Sequence, residues 1–107
     1  MSAQGDTIGR GTRGYMEIVY SILSVCLNGA LKTHIMFRCN LNSKQLHTYL
    51  ESLLDRGFLE RIRIPPSAKV EYRTTPLGRR YMETYNQLLQ MLTQYRRVES
   101  PTFVEST

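Results

Sequence analysis

Residues 42–57, NSKQLHTYLESLLDRG, predict a single amphipathic helix with a signal at each end. Asn42 or Ser43 can cap the amides of the first turn, and Gly57 can supply the left-handed residue that ends a helix. Four leucines at helical spacing predict one buried stripe: Leu46, Leu50, Leu53 and Leu54. The opposite face carries short side chains that can hydrogen bond, at Lys44, Thr48, Glu51 and Ser52, with Gln45 at its edge.

The residues before this helix predict two more helices connected to it by short turns. Residues 15–27 are apolar over much of a helical circumference, which is typical of a core helix. Residues 30–32 are short and are expected to pair as a strand against a later hairpin, and Thr33 is expected to cap a short helix. A turn at residues 40–42 leads into the helix at 42–57, and this order is the layout of a helix-turn-helix.

After the helix the pattern changes from helical spacing to alternation. Residues 58–64 and 70–74 alternate on either side of a loop that contains two prolines, which predicts an antiparallel hairpin. We expect Arg61, Arg63 and Arg73 on its outward faces and Lys69 near its tip. These four cations against two acids favour a basic wing beside the helix-turn-helix, although a solvated hairpin with ordinary charges would share the pattern.

A long last helix is predicted over residues 76–98, because Thr75-Pro76 combines a cap with a proline at the first helical position. At 1.5 Å per residue its length would be ~33 Å, too long to lie wholly on so small a domain. Its main apolar residues follow the heptad seam of a coiled coil: Tyr81, Tyr85, Leu88, Leu92 and Tyr95. We expect part of this seam to pack on its own domain and part on another chain.

The predicted fold class is α+β, mostly helical, with a winged helix-turn-helix followed by a long C-terminal coiled-coil helix. Four segments follow from the pattern. They are a disordered N-terminal arm at residues 1–13, a winged helix-turn-helix at 14–75, a dimerisation helix at 76–98 and a flexible tail at 99–107.

The composition fits one small intracellular domain with a polyanionic partner. The chain has 107 residues and a net charge of +5, from 14 Lys and Arg against 9 Asp and Glu. No apolar run approaches the ~20 residues of a membrane span, and the N-terminus lacks the apolar segment of a signal peptide. Cys26 and Cys39 are predicted to be reduced thiols, because their spacing does not suit a metal.

The sequence carries no pattern typical of an enzyme. It has no glycine-rich phosphate loop, no carboxylate pair in an apolar setting and no nucleophile–base signature. His34 and His47 make a poor metal site, because no carboxylate or thiol cluster accompanies them at ligand spacing. We therefore predict a non-enzymatic protein with no metal and no cofactor. No small-molecule ligand site is evident, and a ligand-sensing regulator is left open.

Several short motifs together resemble one family, the archaeal ten-kilodalton winged-helix DNA-binding proteins. They are Thr33-His34-Ile35-Met36, Asn40-Leu41, Thr48-Tyr49-Leu50 and the Thr75-Pro76-Leu77-Gly78 opening of the last helix, and the resemblance covers residues 15–95. It implies a homodimer connected by an antiparallel coiled coil, and duplex DNA binding by the recognition helix and wing. The wing loop departs from the family pattern: it contains Pro65-Pro66, which can stiffen it.

The first functional hypothesis is a dimeric DNA-binding protein, either a transcriptional regulator or a chromatin-associated protein in the cytoplasm. Base or sugar-edge contacts are predicted for Ser43, Lys44, Gln45 and Thr48. Phosphate contacts are predicted for Lys32, Arg38, Arg61, Arg63, Lys69 and Arg73. The alternative is a winged-helix module that binds protein rather than DNA, because the fold serves both purposes.

Overall fold

The structure, a computed structural model, describes residues 14–99, with side chains described through Thr93. Its elements are α1 (Tyr15–Val25), β1 (Ala30–Leu31), α2 (Lys32–Cys39), α3 (Ser43–Asp55), β2 (Leu59–Arg63), β3 (Val70–Thr74) and α4 (Pro76–Glu99). The predicted class is confirmed, because a mostly helical chain carries one small antiparallel sheet. The predicted arm at 1–13 and most of the predicted tail lie outside the described residues.

The sheet has three strands in the order β1-β3-β2. Ala30 pairs with Tyr72, so the predicted pairing of this short segment with the hairpin is confirmed. The predicted cap at Thr33 is wrong, since α2 begins at Lys32 and Leu31 occupies the cap position without a side-chain hydrogen bond. The strand runs directly into the helix, which leaves no residue between them for a polar cap.

The core lies between α1, α2, α3 and the sheet. Its buried apolar residues are Val19, Ile22, Leu23, Cys26, Ala30, Ile35, Cys39, Leu41, Leu46, Leu50, Leu53, Leu59 and Tyr72. Three of the four predicted leucines of α3 are therefore buried, and the fourth, Leu54, packs partly buried against them. Each fully buried leucine stabilises the fold by about 1.5–3 kcal/mol, so α3 is held firmly by its apolar stripe.

The end of α3 is fixed by a left-handed turn at Gly57, whose φ is 78°. The amide of Phe58 donates to the carbonyl of Leu53 at 2.9 Å and the amide of Gly57 donates to that of Leu54 at 3.1 Å. This pair of hydrogen bonds is the Schellman arrangement, in which a left-handed glycine satisfies the last carbonyls of a helix. The predicted stop at Gly57 is confirmed.

The start of α4 is tied to the same turn. The amide of Thr75 donates to the carbonyl of Phe58 at 3.1 Å, and the hydroxyl of Thr75 accepts from the amide of Gly78 at 3.1 Å. A Cβ atom at Gly78 would collide with the carbonyl oxygen of Phe58, so only glycine lets α4 approach the base of the wing this closely. The predicted cap at Thr75 is confirmed, and α3, the wing and α4 meet at one point.

The hairpin is anchored to α1 by Thr74, which is buried and polar. Its hydroxyl donates to the carbonyl of Leu23 at 2.7 Å, and its amide donates to the carbonyl of Cys26 at 3.0 Å. A buried polar group is costly unless it is hydrogen bonded, so these two bonds hold β3 in one position. They fix the base of the wing relative to the helices.

Candidate nucleic-acid interface

The exposed N-terminal turn of α3 is stabilised by a capping box. The side-chain oxygen of Asn42 accepts from the amide of Gln45 at 2.8 Å, and the amide of Asn42 donates to Oε1 of Gln45 at 2.9 Å. The predicted cap at Asn42 is confirmed. The box also orients Gln45, because its oxygen faces the backbone and its amide nitrogen becomes the group available to donate to a partner.

Thr48 lies one turn further along the exposed face. Its hydroxyl donates to the carbonyl of Lys44 at 3.2 Å, so the hydroxyl offers its oxygen as an acceptor and its methyl group as an apolar contact. Ser43, Lys44, Gln45 and Thr48, the four residues predicted to contact bases, are all exposed on the first turns of α3. The structure therefore places all four in the first two turns of α3.

The surface of α3 is divided by charge. At 3.6 residues per turn, Lys44, Thr48 and Glu51 all point away from the buried stripe, and Arg56 lies to one side of them. Glu51 and Asp55 are exposed and both lie in the C-terminal half of the helix. A polyanion would meet these carboxylates unfavourably, so the N-terminal half of α3 is the part suited to DNA.

An open groove of about 620 Å³ runs beside α3. Its lining residues come from α3 and from the first turn of α1: Tyr15, Lys44, Gln45, Thr48, Tyr49, Ser52 and Arg56. The rings of Tyr15 and Tyr49 stack with centroids 5.6 Å apart, and Nε of Arg56 donates to the hydroxyl of Ser52 at 3.2 Å. Sequence analysis missed this groove, because Tyr15 is far from α3 in sequence and carried no signal beyond being apolar.

The wing pairs β2 and β3 in a register that separates its arginines. Arg61 lies opposite Tyr72, and Arg63 lies opposite Val70, so both arginines are on the face of the hairpin that carries Tyr72. Arg73 lies on the other face. The predicted outward position holds for Arg61 and Arg63 but only in part for Arg73, which is half-buried. The buried Leu59 lies on the same face of β2 as Arg61 and Arg63. Arg61 and Arg63 are nevertheless exposed.

Arg73 lies among acids. It stands directly opposite Glu60 in the hairpin, and its side chain and that of Glu71 both approach Gly29. Neighbouring carboxylates make the surface around Arg73 less attractive to a polyanion, and Arg73 is also half-buried. Lys69, in contrast, is exposed near the tip, where its amide donates to the hydroxyl of Ser67 at 3.0 Å and stabilises the loop.

Lys32 and Arg38 lie at opposite ends of α2, and both are exposed. Arg38 is in the last turn, where a cation suits the helix dipole. The neighbouring Phe37 has 83% of its surface exposed, the highest value among the large apolar residues that the structure describes. The sequence pattern gave no signal for this exposure, because an isolated aromatic residue on a short helix usually predicts a core contact.

The seam of α4 divides into two parts. Tyr81 packs partly buried against the core, its hydroxyl donates to the carbonyl of Met16 at 2.9 Å, and Tyr85 packs on Tyr20 with ring centroids 4.8 Å apart. Burial raises the pKa of the Tyr81 phenol, and electrostatic interaction with the Tyr15 and Tyr85 phenols raises it further. Further along, Leu88, Met91 and Leu92 are 42%, 62% and 58% exposed. The side chain of Tyr95, the last predicted seam residue, lies outside the described side chains.

Within residues 14–99 no cluster of His, Cys, Asp and Glu is suited to holding a metal ion. Cys26 and Cys39 are both buried, and burial, with Cys39 nearby, raises the pKa of the Cys26 thiol to about 12. Cys26 therefore stays protonated at neutral pH, and a thiol is a poor nucleophile and metal ligand. The described helices include none that is long and apolar enough to cross a membrane.

The fold and this polar surface together define a winged helix-turn-helix protein, and comparison with known proteins agrees. A family model described as winged helix-turn-helix matches residues 12–93, so the chain belongs to that family. An uncharacterized protein from Methanocaldococcus jannaschii is 25% identical over 84 residues, which cover 78% of this chain and 80% of that protein.

Solved structures share the fold at low sequence identity. Sso10a-2, a DNA-binding protein from Sulfolobus solfataricus, has a TM-score of 0.68 and 22% identity and covers 89% of this chain and 99% of its own. Streptococcus pneumoniae FabT, solved in complex with DNA, has a TM-score of 0.61 and 13% identity over 94% of this chain and 72% of its own. The transcriptional regulator SlyA also has a TM-score of 0.61, with 16% identity over 98% of this chain and 70% of its own. These likenesses establish the winged-helix fold, in agreement with the resemblance noted in the sequence.

Proposed function

We propose that this protein binds double-stranded DNA as a homodimer and acts as a transcriptional regulator or chromatin-associated protein. The observation that carries the proposal is the exposed, capped first half of α3, whose stripe of leucines is buried while Ser43, Lys44, Gln45 and Thr48 face outward. Membership of the winged helix-turn-helix family supports it, as do the DNA-binding proteins that share the fold.

In this proposal α3 enters the major groove with its N-terminal turns foremost, as recognition helices do. The amide nitrogen of Gln45 donates to a base-edge acceptor, since its oxygen belongs to the capping box. The hydroxyl oxygen of Thr48 accepts from a base amino group, or its methyl contacts a thymine methyl. Glu51 and Asp55 keep the C-terminal half of α3 away from the phosphates.

The wing and α2 supply phosphate contacts. Arg61, Arg63 and Lys69 are exposed on the hairpin, and Lys32 and Arg38 are exposed at the two ends of α2. Contacts of this kind position a protein on the duplex and carry no sequence information directly. We assign Arg73 the smallest contribution, because Glu60 and Glu71 flank it.

The second half of α4 supports the homodimer. The helix has 24 residues, so at 1.5 Å per residue it is ~36 Å long, while α1 beneath its first half has 11 residues and is ~16 Å long. Leu88, Leu89, Met91 and Leu92 therefore extend past the surface that α1 offers, and all four are exposed. A second copy of this helix would remove the stripe from water, as in a coiled coil.

Salt-dependent binding to duplex DNA tests the central claim. Fluorescence anisotropy with a labelled duplex of mixed sequence, repeated across a salt series, should show log K falling linearly with log salt concentration. Arg61→Ala should reduce that slope by about one unit, because each phosphate contact releases condensed counterions. Arg79→Ala is the matched control, because Arg79 is exposed on α4 and its substitution removes the same charge outside the proposed surface. Absence of saturable duplex binding at low salt would overturn the proposal.

The choice between a regulator and a chromatin protein requires a genome-wide occupancy profile. Broad coverage would indicate architectural packing of the nucleoid, and a few strong peaks would indicate a dedicated regulator. Both outcomes correspond to a cytoplasmic protein associated with the nucleoid. The four polar residues at the start of α3 favour at least some discrimination among sequences, because phosphate contacts alone would not need them.

Binding to another protein is a second candidate, and the exposure of Phe37 favours it. A phenylalanine that is 83% exposed on α2 is an unusual surface residue, and aromatic residues are enriched in protein interfaces. Phe37→Ser should abolish binding to a protein partner while leaving the salt dependence of DNA binding unchanged. If duplex binding is absent and Phe37 is required for a protein complex, the interaction module is the correct function.

A further inference from the structure

The groove beside α3 has the composition of a small-molecule site. It is open and about 620 Å³ in volume, and its mostly apolar lining includes Tyr15 and Tyr49, whose rings stack on each other. Ligand sites of this size commonly combine an apolar floor with a few placed polar groups. Here the polar groups are the side chains of Lys44, Thr48 and Arg56.

The aromatic part of the lining favours a planar ligand. Tyr15 stacks on Tyr49 with an interplanar angle of 23°, yet 48% of the surface of Tyr15 remains exposed. Aromatic rings attract further rings in offset stacks, which add energy beyond the area that they bury. A flat aromatic ring placed beside Tyr15 would continue the existing stack.

The charged part of the lining favours an anion. Of the lining residues, Lys44 is in the first turn of α3 and Arg56 follows its last residue, about three helical turns away, and none of the described lining residues is acidic. The guanidinium of Arg56 is oriented by its hydrogen bond to Ser52 at 3.2 Å. An oriented guanidinium binds a carboxylate in a planar, two-point arrangement.

We propose that this groove binds a small planar aromatic carboxylate, whose ring stacks on Tyr15 and whose carboxylate is held by Arg56. Lys44, Gln45 and Thr48 line the groove and also form the surface assigned to base contacts. A ligand in the groove therefore excludes DNA from α3. This second part rests on the proposed DNA-binding function, whereas ligand binding itself does not.

A direct titration tests the site without DNA. The probe is 2-naphthoate, added to the full-length protein while side-chain and backbone signals are followed by nuclear magnetic resonance. We expect saturable binding with a dissociation constant on the order of 1 mM or tighter, with the largest shifts at Tyr15, Tyr49 and Arg56. 2-Naphthamide, which is neutral and has the same shape, should bind at least about tenfold more weakly, because a charged hydrogen bond is lost. Equal binding of the amide would overturn the proposal.

Matched variants locate the site. Arg56→Gln should weaken 2-naphthoate binding at least about tenfold, and Tyr15→Leu should weaken it while keeping the apolar volume. Arg80→Gln is the control, because Arg80 is also an exposed arginine and lines a smaller groove of about 320 Å³ with Phe58, Leu77, Tyr81 and Thr84. Circular dichroism confirms that each variant is folded. If Arg80→Gln reduces binding and Arg56→Gln does not, the proposed site is wrong.

Competition with DNA completes the test. 2-Naphthoate should displace a labelled duplex from the wild-type protein at concentrations near its own dissociation constant, and Arg56→Gln should raise the concentration required by about the same factor as in the direct titration. If duplex DNA shifts the signals of Tyr15 and Tyr49 but 2-naphthoate produces no saturable shift, the groove is part of the DNA surface only and the ligand proposal fails. If 2-naphthoate binds while the protein binds no duplex, the ligand site stands and the DNA-binding function fails.

Discussion

Helix α3 and the long helix α4 are both amphipathic, but their apolar residues are covered to different extents. In α3 the leucine stripe is covered by the same chain, and the exposed face is polar. In α4 the first part of the seam, at Tyr81 and Tyr85, packs on its own chain, whereas the residues from Leu88 to Leu92, the last seam residue with a described side chain, are exposed.

Length explains the difference. α3 has 13 residues and is ~20 Å long, which the small core can cover, whereas the 24 residues of α4 reach ~36 Å and pass beyond it. The comparison indicates two kinds of partner surface in one small domain. The polar face of α3 suits hydrogen bonding to a nucleic acid, and the apolar end of α4 suits a second apolar surface.

The largest effect is expected from changing the exposed end of α4. Leu88→Ala with Leu92→Ala should yield a monomer at micromolar concentration with the winged domain still folded, since each well-packed leucine is worth ~2–5 kcal/mol and acts twice in a symmetric dimer. DNA affinity should then fall by more than any single DNA-facing alanine causes, because tethered domains gain ~10²–10⁴-fold in avidity. Sedimentation and an anisotropy titration measure the two parts.

The matched control for this pair is Gln87→Ala with Gln90→Ala, which changes exposed residues of α4 that lie off the seam. It should remain dimeric. A leucine double variant that also remains dimeric would mean that the seam is not the interface, and the contrast between α3 and α4 would lose its functional meaning. A monomer with undiminished affinity would show that dimerisation serves something other than DNA binding.

The next largest effect is expected on the polar face of α3. Thr48→Ala and Gln45→Ala should each change the preferred DNA sequence, with ~1–3 kcal/mol lost for each base contact. Gln45→Ala also breaks the capping box, so Asn42→Ala is needed beside it, because Asn42→Ala removes the cap at a cost of ~0.5–2 kcal/mol of stability while sparing the base contact. Selection from a random duplex library measures the preference, and an unchanged motif in both variants would place α3 off the bases.

A smaller and uniform effect is expected at the wing. Arg63→Ala should weaken binding to all duplexes about equally and reduce the slope of log K against log salt by about one unit, because Arg63 is exposed on a hairpin and offers only charge. The same salt series on Arg79→Ala controls for the loss of net charge. An unchanged slope for Arg63→Ala would mean that this arginine does not contact phosphate.

The smallest effect is expected at Arg73. Its half-buried position opposite Glu60 predicts that Arg73→Ala leaves the salt slope nearly unchanged, while Glu60→Gln strengthens binding slightly by releasing the charge of Arg73. Both variants can be measured in the same salt series as Arg63→Ala. If Arg73→Ala lowers the slope as much as Arg63→Ala does, the assignment of Arg73 as the weakest contact is wrong.

The elements that could be predicted from sequence are those whose signals are local. Asn42 and Gly57 mark the ends of α3, Thr75 marks the start of α4, and each mark acts through residues a few positions away. Helical spacing of leucines likewise predicts the buried face of α3 without knowledge of what covers it. The fold class followed from the order of these local elements.

The features that could not be predicted depend on partners far away in sequence. Alternation in β2 predicts a strand but does not say which face is inward, since that depends on the register with β3 and the burial of Leu59. The groove depends on Tyr15 meeting Tyr49, and the cap at Thr33 failed because β1 and α2 are contiguous. The contacts of individual site residues with DNA stay predictions.

The junction at Phe58 links α3, the wing and α4 through a few backbone hydrogen bonds and the close approach of Gly78. Because this junction leaves little room for α4 to pivot, the direction of α4 is fixed relative to that of α3. In a dimer built on α4, the distance and angle between the two recognition helices would be set by the number of residues between Gly78 and the seam. One residue added there would turn the seam by about 100° and shift it by about 1.5 Å. The length of this segment would therefore determine the spacing of the half-sites that such a dimer binds along the duplex.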